Sequence, residues 1–494
     1  MRILFIYNGT ESLGIEYLSS FLKSKGHTTF LFFDPAIFSG DVFINNHYLS
    51  KLFDVERKIV EKTIKLKPDI VAFSAYSGNY RWCLRIAYAI RKLSDIPIVF
   101  GGVHPTAVPE RVLANDCIDY LIVGEGEYAM LDLIEHLEGS SKYNTNLINT
   151  ANIGLRHEGH IIVNSPRPYI RDLDSLPFPD KALFFNKEPL LKNDPYLIMT
   201  SRGCPYNCTY CSNDLYKTLY CDEKQHIRRR SPDNVIAELA YAKVHAKIRR
   251  VNFMDDVFAS SKLWLEEFTE KYRTRIGLPF HCLVHPLSIT KDIAKLLKEA
   301  GCDLVGIGIQ SGSERIRNTI YERKESNEQI KQAISILKNV KLKVKVDHIF
   351  GAPTETEEDL KKSLALYQSI KPEMILTFWL TYYPQTAIIK KALELGVLRQ
   401  KDIEQIEEGY TGYTHGIGSV PTESVALFAR YEVLFELLAL CPNEAICLFL
   451  SKLIPFTPLK KWISYSAYTI TGLRHYRDGI FNKFRYALSK HNAP

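Results

Sequence analysis

The sequence has no run of 18 apolar residues, so no membrane-spanning helix is expected. Its first residues, Met1-Arg-Ile-Leu-Phe-Ile-Tyr7, run straight into a strand pattern, and nothing there resembles a targeting peptide. Ten cysteines in 494 residues without a secretory signal argue against a disulfide framework and for a reducing, cytoplasmic compartment. A basic surface is also missing from most of the chain. The net charge of +7 lies wholly after residue 447, where Lys452, Lys460, Lys461, Arg474, Arg477, Lys483, Arg485 and Lys490 face a single acid, Asp478. The first 447 residues are balanced, which gives no footprint for nucleic acid, and none is expected as a partner.

What is present is concentrated in Thr200-Ser-Arg-Gly-Cys-Pro-Tyr-Asn-Cys-Thr-Tyr-Cys-Ser212. Cys204, Cys208 and Cys211 are spaced Cys-x3-Cys-x2-Cys, so three thiolates can hold three corners of a cubane 4Fe–4S cluster. No fourth cysteine completes the run, which leaves one iron open to a reactive ligand. Structural zinc wants four ligands, usually two closely spaced pairs. Here only Cys221 and His226 could complete such a set, by an unusual route.

The length predicts two to four domains. Residues 1–140 alternate strand and helix, with strands at Arg2–Tyr7, Thr28–Phe33, Ile70–Ser74, Ile96–Phe100 and Tyr120–Val123. This is the pattern of an α/β, doubly wound, Rossmann-like parallel sheet. Residues 141–195 read as a hairpin and a Pro-rich linker. Residues 196–395 return to strand–helix alternation, with strands at Tyr196–Thr200, Arg250–Met254, Phe280–Val284, Leu304–Ile309, Val344–Phe350 and Met374–Thr381. Six such units make a partial (β/α)6 TIM barrel, whose reactive groups should gather at the C-terminal ends of its strands. Residues 396–494 read as a helical region with a basic, aromatic tail.

The cysteine spacing, with Tyr210 before the third cysteine, resembles the radical S-adenosylmethionine (SAM) enzymes. The resemblance implies that the amino and carboxylate groups of SAM occupy the open iron. It extends to Met254-Asp-Asp-Val-Phe258, where Asp255 and Asp256 would lie near the SAM amino group, with Asp255 preferred and Asp256 equally suited to cap a helix. Gly306-Ile-Gly-Ile-Gln-Ser-Gly-Ser313 resembles a ribose-binding segment, with Gln310 in place of the usual acid and Ser311 matching directly. The turn at Gly351 and Pro353 resembles the border of the adenine site. His281 and His285 stand where similar proteins often carry Arg, and both read more readily as packed than as catalytic.

The first domain resembles the cobalamin-binding domain that precedes many radical SAM barrels. The matching residues are Ser74 and Tyr76; Gly101, Gly102 and His104; and Gly124, Glu125 and Glu127. The Asp-x-His-x-x-Gly segment whose His ligates cobalt is absent, since the first loop reads Asn8-Gly-Thr-Glu-Ser-Leu-Gly14. Cobalamin is therefore expected base-off with no His from this loop on cobalt, and His104 is expected to bond its tail or corrin amides. The resemblance implies a class B radical SAM methyltransferase that takes hydrogen from an unactivated carbon of a small-molecule or lipid-like substrate and C-methylates it. Flavodoxin or ferredoxin would be the electron donor. A cyclase like the anaerobic magnesium-protoporphyrin monomethyl ester cyclase, a methylthiotransferase and a non-catalytic cobalamin or iron–sulfur sensor are alternatives. The basic tail, interleaved with aromatics such as Phe449, Trp462 and Tyr476, suggests peripheral contact with anionic membrane. A helical lid with a solvated basic face is the competing reading.

Overall fold

Two large sheets, of seven and six strands, organise the described residues. The computed structural model describes residues 1–36, 55–139, 147–187, 189–221, 226–410 and 422–438. The basic tail, residues 448–494, lies outside these residues. Among the described residues no helix is long and apolar enough to cross a membrane.

The first sheet contains β1 (Arg2–Asn8), β2 (Thr28–Asp34), β3 (Ile70–Ser74), β4 (Ile98–Gly101), β5 (Tyr120–Ile122), β6 (Ile153–His157) and β7 (His160–Val163). Their order is β2-β1-β3-β4-β5-β6-β7. The first five are parallel, and β1 is buried along nearly its whole length because helices cover both faces. The order reverses between β1 and β3. Such a switch point opens a crevice at the strand ends, here at Asn8, Ser74 and Gly101. The hairpin β6–β7 pairs antiparallel onto β5 and so extends this sheet. Asn152 pins the join with a hydrogen bond from its side-chain amide to the Val123 carbonyl (2.7 Å).

The second sheet runs β15-β14-β13-β12-β11-β8 and is parallel throughout. Its strands are β8 (Tyr196–Ile198), β11 (Val251–Phe253), β12 (Phe280–Val284), β13 (Cys302–Gln310), β14 (Lys343–Phe350) and β15 (Met374–Trp379). The edges β8 and β15 do not meet, so this is a six-stranded open barrel, not a closed one. Between β8 and β11 a two-stranded bridge joins β9 (Ser201–Arg202) to β10 (Arg228–Arg229) and holds both ends of the cysteine loop. No periodicity in the sequence marked that bridge.

Side chains alternate across the barrel wall. Val305, Ile307, Ile309, Val344, Val346 and Phe350 join the core against the outer helices. The intervening residues, including His281, Gly306, Gly308, Lys345 and Asp347, therefore face the lumen. The helix Thr422–Leu438 packs on the open side at β15. Phe435 stacks on Phe350 with centroids 5.3 Å apart, and Glu432 accepts from the Trp379 indole (3.1 Å).

Candidate functional site

Gly203 opens the cysteine loop with φ +91°, and a Cβ there would sit 2.2 Å from the His226 carbonyl, so only glycine fits beside the incoming chain. Cys208 is buried, while Cys204 and Cys211 are partly accessible. The loop tightens where the Cys211 N–H donates to the Cys208 carbonyl (3.0 Å), and Cys211 then caps the helix Ser212–Leu219. Burial pushes the Cys204 thiol up to about 12 and raises Cys211, so bare thiols here hold their protons. Two donors offset that cost for thiolates: Asn213 Nδ2 lies 3.6 Å from Cys211 Sγ, and Arg323 Nη1 lies 3.6 Å from Cys208 Sγ. Among the described residues no three His, Cys, Asp or Glu side chains converge as ligands of one ion.

Arg323 was not found from the sequence, yet it organises this corner. Its guanidinium donates to Gly308 O (2.6 Å), Glu325 Oε1 (2.7 Å) and the Tyr210 hydroxyl (3.4 Å), besides Cys208. Tyr210 in turn packs edge-on against Tyr321 at 5.0 Å. Tyr206, inside the cysteine loop, stacks on the His285 ring at 3.6 Å. His285 is buried and held neutral, its pKa lowered to about 3 by desolvation and then by Arg323. A charged Arg-x-Glu between the short helix Ile316–Ile320 and the helix Asn327–Asn339 was the only signal available for this group.

The two aspartates exchange the places expected of them. Asp255 is fully buried and accepts from the Thr200 N–H (3.1 Å), the Thr200 hydroxyl (2.6 Å) and the Ser201 hydroxyl. These bonds tie β11 to the start of the cysteine segment and leave the carboxylate committed within the protein. Asp256 stands at the mouth with its charge felt by Cys204 and Cys211; burial raises its pKa and an Asn213 hydrogen bond opposes the rise. It does not cap the next helix, whose N-cap is Ser261. Gln310 sits at a bulge between β13 and β14 with φ +67°, and its Oε1 is buried without a hydrogen-bond partner. Ser311 is turned inward: its hydroxyl accepts from Ser313 N–H (3.2 Å) and its carbonyl from Arg317 (2.5 Å). Gly351 turns with φ +80°, and its N–H donates to Glu355 (2.8 Å). Burial raises Glu355 to about 8, so this carboxyl is mostly protonated at neutral pH.

Residues 198–367 match the model of the Radical SAM superfamily, and residues 5–134 match that of the B12 binding domain. This chain is a radical SAM protein with a cobalamin-binding domain. An uncharacterized methyltransferase of Pyrococcus horikoshii is 26% identical over 415 residues, covering 81% of this chain and 84% of that protein. The anaerobic magnesium-protoporphyrin IX monomethyl ester cyclase of Rubrivivax gelatinosus is also 26% identical, over 78% of this chain and 68% of that one. Among solved structures, the cobalamin-dependent SAM radical enzyme OxsB superposes with a TM-score of 0.67 at 17% identity, over 96% of this chain and 72% of that chain. The radical SAM domain implies a 4Fe–4S cluster and SAM, and the B12 domain implies cobalamin.

In the cobalamin-binding domain the expected residues divide into two groups. Ser74, Tyr76 and Gly101 lie half-buried along the C-terminal edge beside the β1/β3 switch. Asn8, ending β1, is buried there with an unpartnered Oδ1, so this edge has a free acceptor for a ligand. Gly102 serves the chain itself: a Cβ would stand 2.6 Å from the Ala75 carbonyl. His104 is buried at 1% exposure, hydrogen-bonded to Ser77 (3.0 Å) and packed on Tyr80 at 4.2 Å. Its burial, which lowers its pKa to about 4, removes it from the edge where a tail or corrin amide would lie.

Gly124, Glu125 and Glu127 belong to the junction of the two domains. A Cβ on Gly124 would sit 2.1 Å from the Tyr220 hydroxyl, and the Glu125 N–H donates to that same hydroxyl (3.1 Å). Glu125 pairs with Arg202 (2.8 Å) and Arg228 (2.7 Å), and Glu127 pairs with Arg202 (2.5 Å). Burial works against the Glu125 charge, but the two arginines overcome it and hold its pKa below the ordinary value. Arg228 also covers the face of Tyr169 at 3.9 Å. The two glutamates, expected to contact cobalamin, are thus spent on fastening its domain to the barrel. Sequence alone could not pair them with arginines so distant along the chain.

Proposed function

We propose that the protein is a cobalamin-dependent radical SAM methyltransferase that C-methylates an unactivated carbon of a small molecule. The observation that carries this reading is the junction: Arg202, two residues before Cys204, binds the strand-end loop of the cobalamin-binding domain. Both cofactor edges therefore open beside one fixed hinge point.

In this reading Cys204, Cys208 and Cys211 hold the cluster. Asp256 receives the SAM ammonium, Gln310 accepts from a ribose hydroxyl, and the Gly351 turn admits the adenine. Ser74, Tyr76 and Gly101 admit cobalamin. When bound, the cluster supplies the electron that cleaves SAM, and cobalamin supplies the methyl group. Arg323 holds the Cys208 corner and Tyr210 against β13, and Asp255 keeps the Thr200–Ser201 segment in register. The cyclase reading is favoured by one observation, the equal identity to the Rubrivivax cyclase.

Anaerobically reconstituted protein, given a low-potential reductant and methyl-deuterated SAM, should form 5′-deoxyadenosine. With an extract of a deletion strain it should yield a product bearing the deuterated methyl group. A product that loses hydrogen and gains no label would replace methylation with cyclisation, and absence of 5′-deoxyadenosine would end the enzyme reading. A separate proposal concerns the basic tail, residues 448–494. If it rests on anionic lipid, sedimentation with phosphatidylserine vesicles should weaken with salt and vanish on its removal.

A further inference from the structure

The barrel lumen carries a charged pair that the cofactor reading leaves unused. Lys345 and Asp347 lie two residues apart on β14 and face inward, and their ion pair is loose at 3.8 Å. The Lys345 side chain is 8% exposed and that of Asp347 19%. Asp347 Oδ1 has no hydrogen-bond partner, and neither has Gln310 Oε1 one strand away. Two buried charges gain little unless they close into a well-bonded pair, so a loose one with spare valences has room for a third group.

The wall beside them is covered unevenly. At Gly306 an added Cβ would meet Leu283 at 2.6 Å, and His281 and Lys345 at 3.1 Å each, so side chains from the two neighbouring strands close the lumen there. At Gly308, next toward the mouth, it would meet the Gln310 amide nitrogen at 2.5 Å and nothing outside that amide within 4 Å, so the Gln310 side chain alone covers this position. Gly308 pairs in register with Asp347. The space over Gly308 is therefore bounded by Asp347 at one side, Gln310 above and the Lys345 layer below.

We propose that Lys345 and Asp347 anchor the substrate through a neutral group that both donates and accepts hydrogen bonds, a hydroxyl or a carboxamide. Asp347 Oδ1 lacks a donor, so the group must donate. Lys345 has ammonium hydrogens to spare, so the group must also accept. Charge excludes an ionic group: Lys345 offsets Asp347, and Arg323, on the Gly308 carbonyl, offsets Glu325. The rest of the molecule is apolar, because Phe378 beside Ile349, with Met254 and Leu287 at the mouth, are exposed apolar side chains at 40%, 42% and 45%.

This rests on the enzyme reading above and deepens it. The test compares wild type, Asp347→Asn and the double variant Lys345→Met/Asp347→Leu. Each is reconstituted and incubated with methyl-deuterated SAM and the small-molecule extract of a deletion strain. The readout is labelled product formed per 5′-deoxyadenosine, with cluster absorbance and thermal melting as controls on folding. A purely structural ion pair replaced by apolar residues leaves the protein as stable or more so, and its product ratio unchanged. A substrate anchor loses product while the fold survives, and the ratio should fall at least about tenfold in both variants. An unchanged ratio, or product and 5′-deoxyadenosine falling in proportion, would overturn the inference. Wild type that forms no 5′-deoxyadenosine would instead sink the enzyme reading beneath it. The product's mass should show a neutral molecule with a hydroxyl or amide, and an ionic product would also overturn the assignment.

Discussion

The two cofactor edges are built by opposite means. On the barrel side, two of the groups expected to meet a ligand are left for one, Gln310 with an unpartnered Oε1 and Asp256 at the mouth, while Asp255 and Ser311 are bonded within the protein. On the cobalamin-binding side, most expected polar groups are already consumed. Glu125 and Glu127 are paired with arginines, and His104 is packed under its own helix. A motif glutamate bonded to two arginines has no stability reason to let go, whereas an orphaned buried acceptor costs stability until something donates to it. Residues shared with a family can thus be retained for a site or for the joint that aims it.

That contrast can be broken most sharply at the cysteines. Cys208→Ala removes the buried thiolate that Arg323 faces, and cluster absorbance and 5′-deoxyadenosine should both disappear. A variant that kept either would show that the barrel edge is not a cluster site. The next largest effect falls on the joint. Arg202→Met leaves Glu125 and Glu127 facing a methyl thioether, and should destabilise the protein by about 3–5 kcal/mol in denaturant titrations. Melting of the two domains should separate. If stability stayed within about 0.5 kcal/mol, the glutamates would have to be returned to the ligand site.

Gly124→Ala tests the same joint sterically. The new Cβ would collide with the Tyr220 hydroxyl and strain a positive φ, at a cost of about 2 kcal/mol. Adding Tyr220→Phe should restore part of that loss, and no restoration would mean that backbone strain dominates. The smallest effect, taken per pH unit and per residue, is in pH. His104 and His348 are neutral in the fold, their pKa values lowered by burial to about 4 and about 3. The unfolded chain binds protons first as pH falls below about 6.5. Stability is therefore full above that value and should decline toward pH 4 by roughly 1 kcal/mol per unit for each His. Replacing His104 with Gln should flatten the slope; an unchanged slope would place the titration elsewhere.

Much of the fold was legible because strand and helix periods are local. The strands Ile70–Ser74 and Phe280–Val284 were bounded to the residue, and others moved by one or two positions at their ends, where fraying and bulges act. The bulge before Gln310 lengthens β13, and the bridge β9–β10 is too short to carry a period. At the site, the cysteines were legible because cluster ligation constrains their spacing in one loop. Arg323, Glu325 and the Arg202–Glu125 pairing were not, because their partners lie far along the chain and charge carries no period.

The sequence by itself determined the chemistry that the chain carries: three thiols in one loop, glycines at strand ends and six strand–helix units. These are set by local geometry and by covalent spacing. Only the tertiary structure decided how the acids are used. Asp255 and Asp256 are neighbours with identical side chains, yet one is sealed against Thr200 and Ser201 and the other stands at the mouth. Successive residues at a strand end point in opposite directions, and which direction is inward depends on what the fold packs against each face.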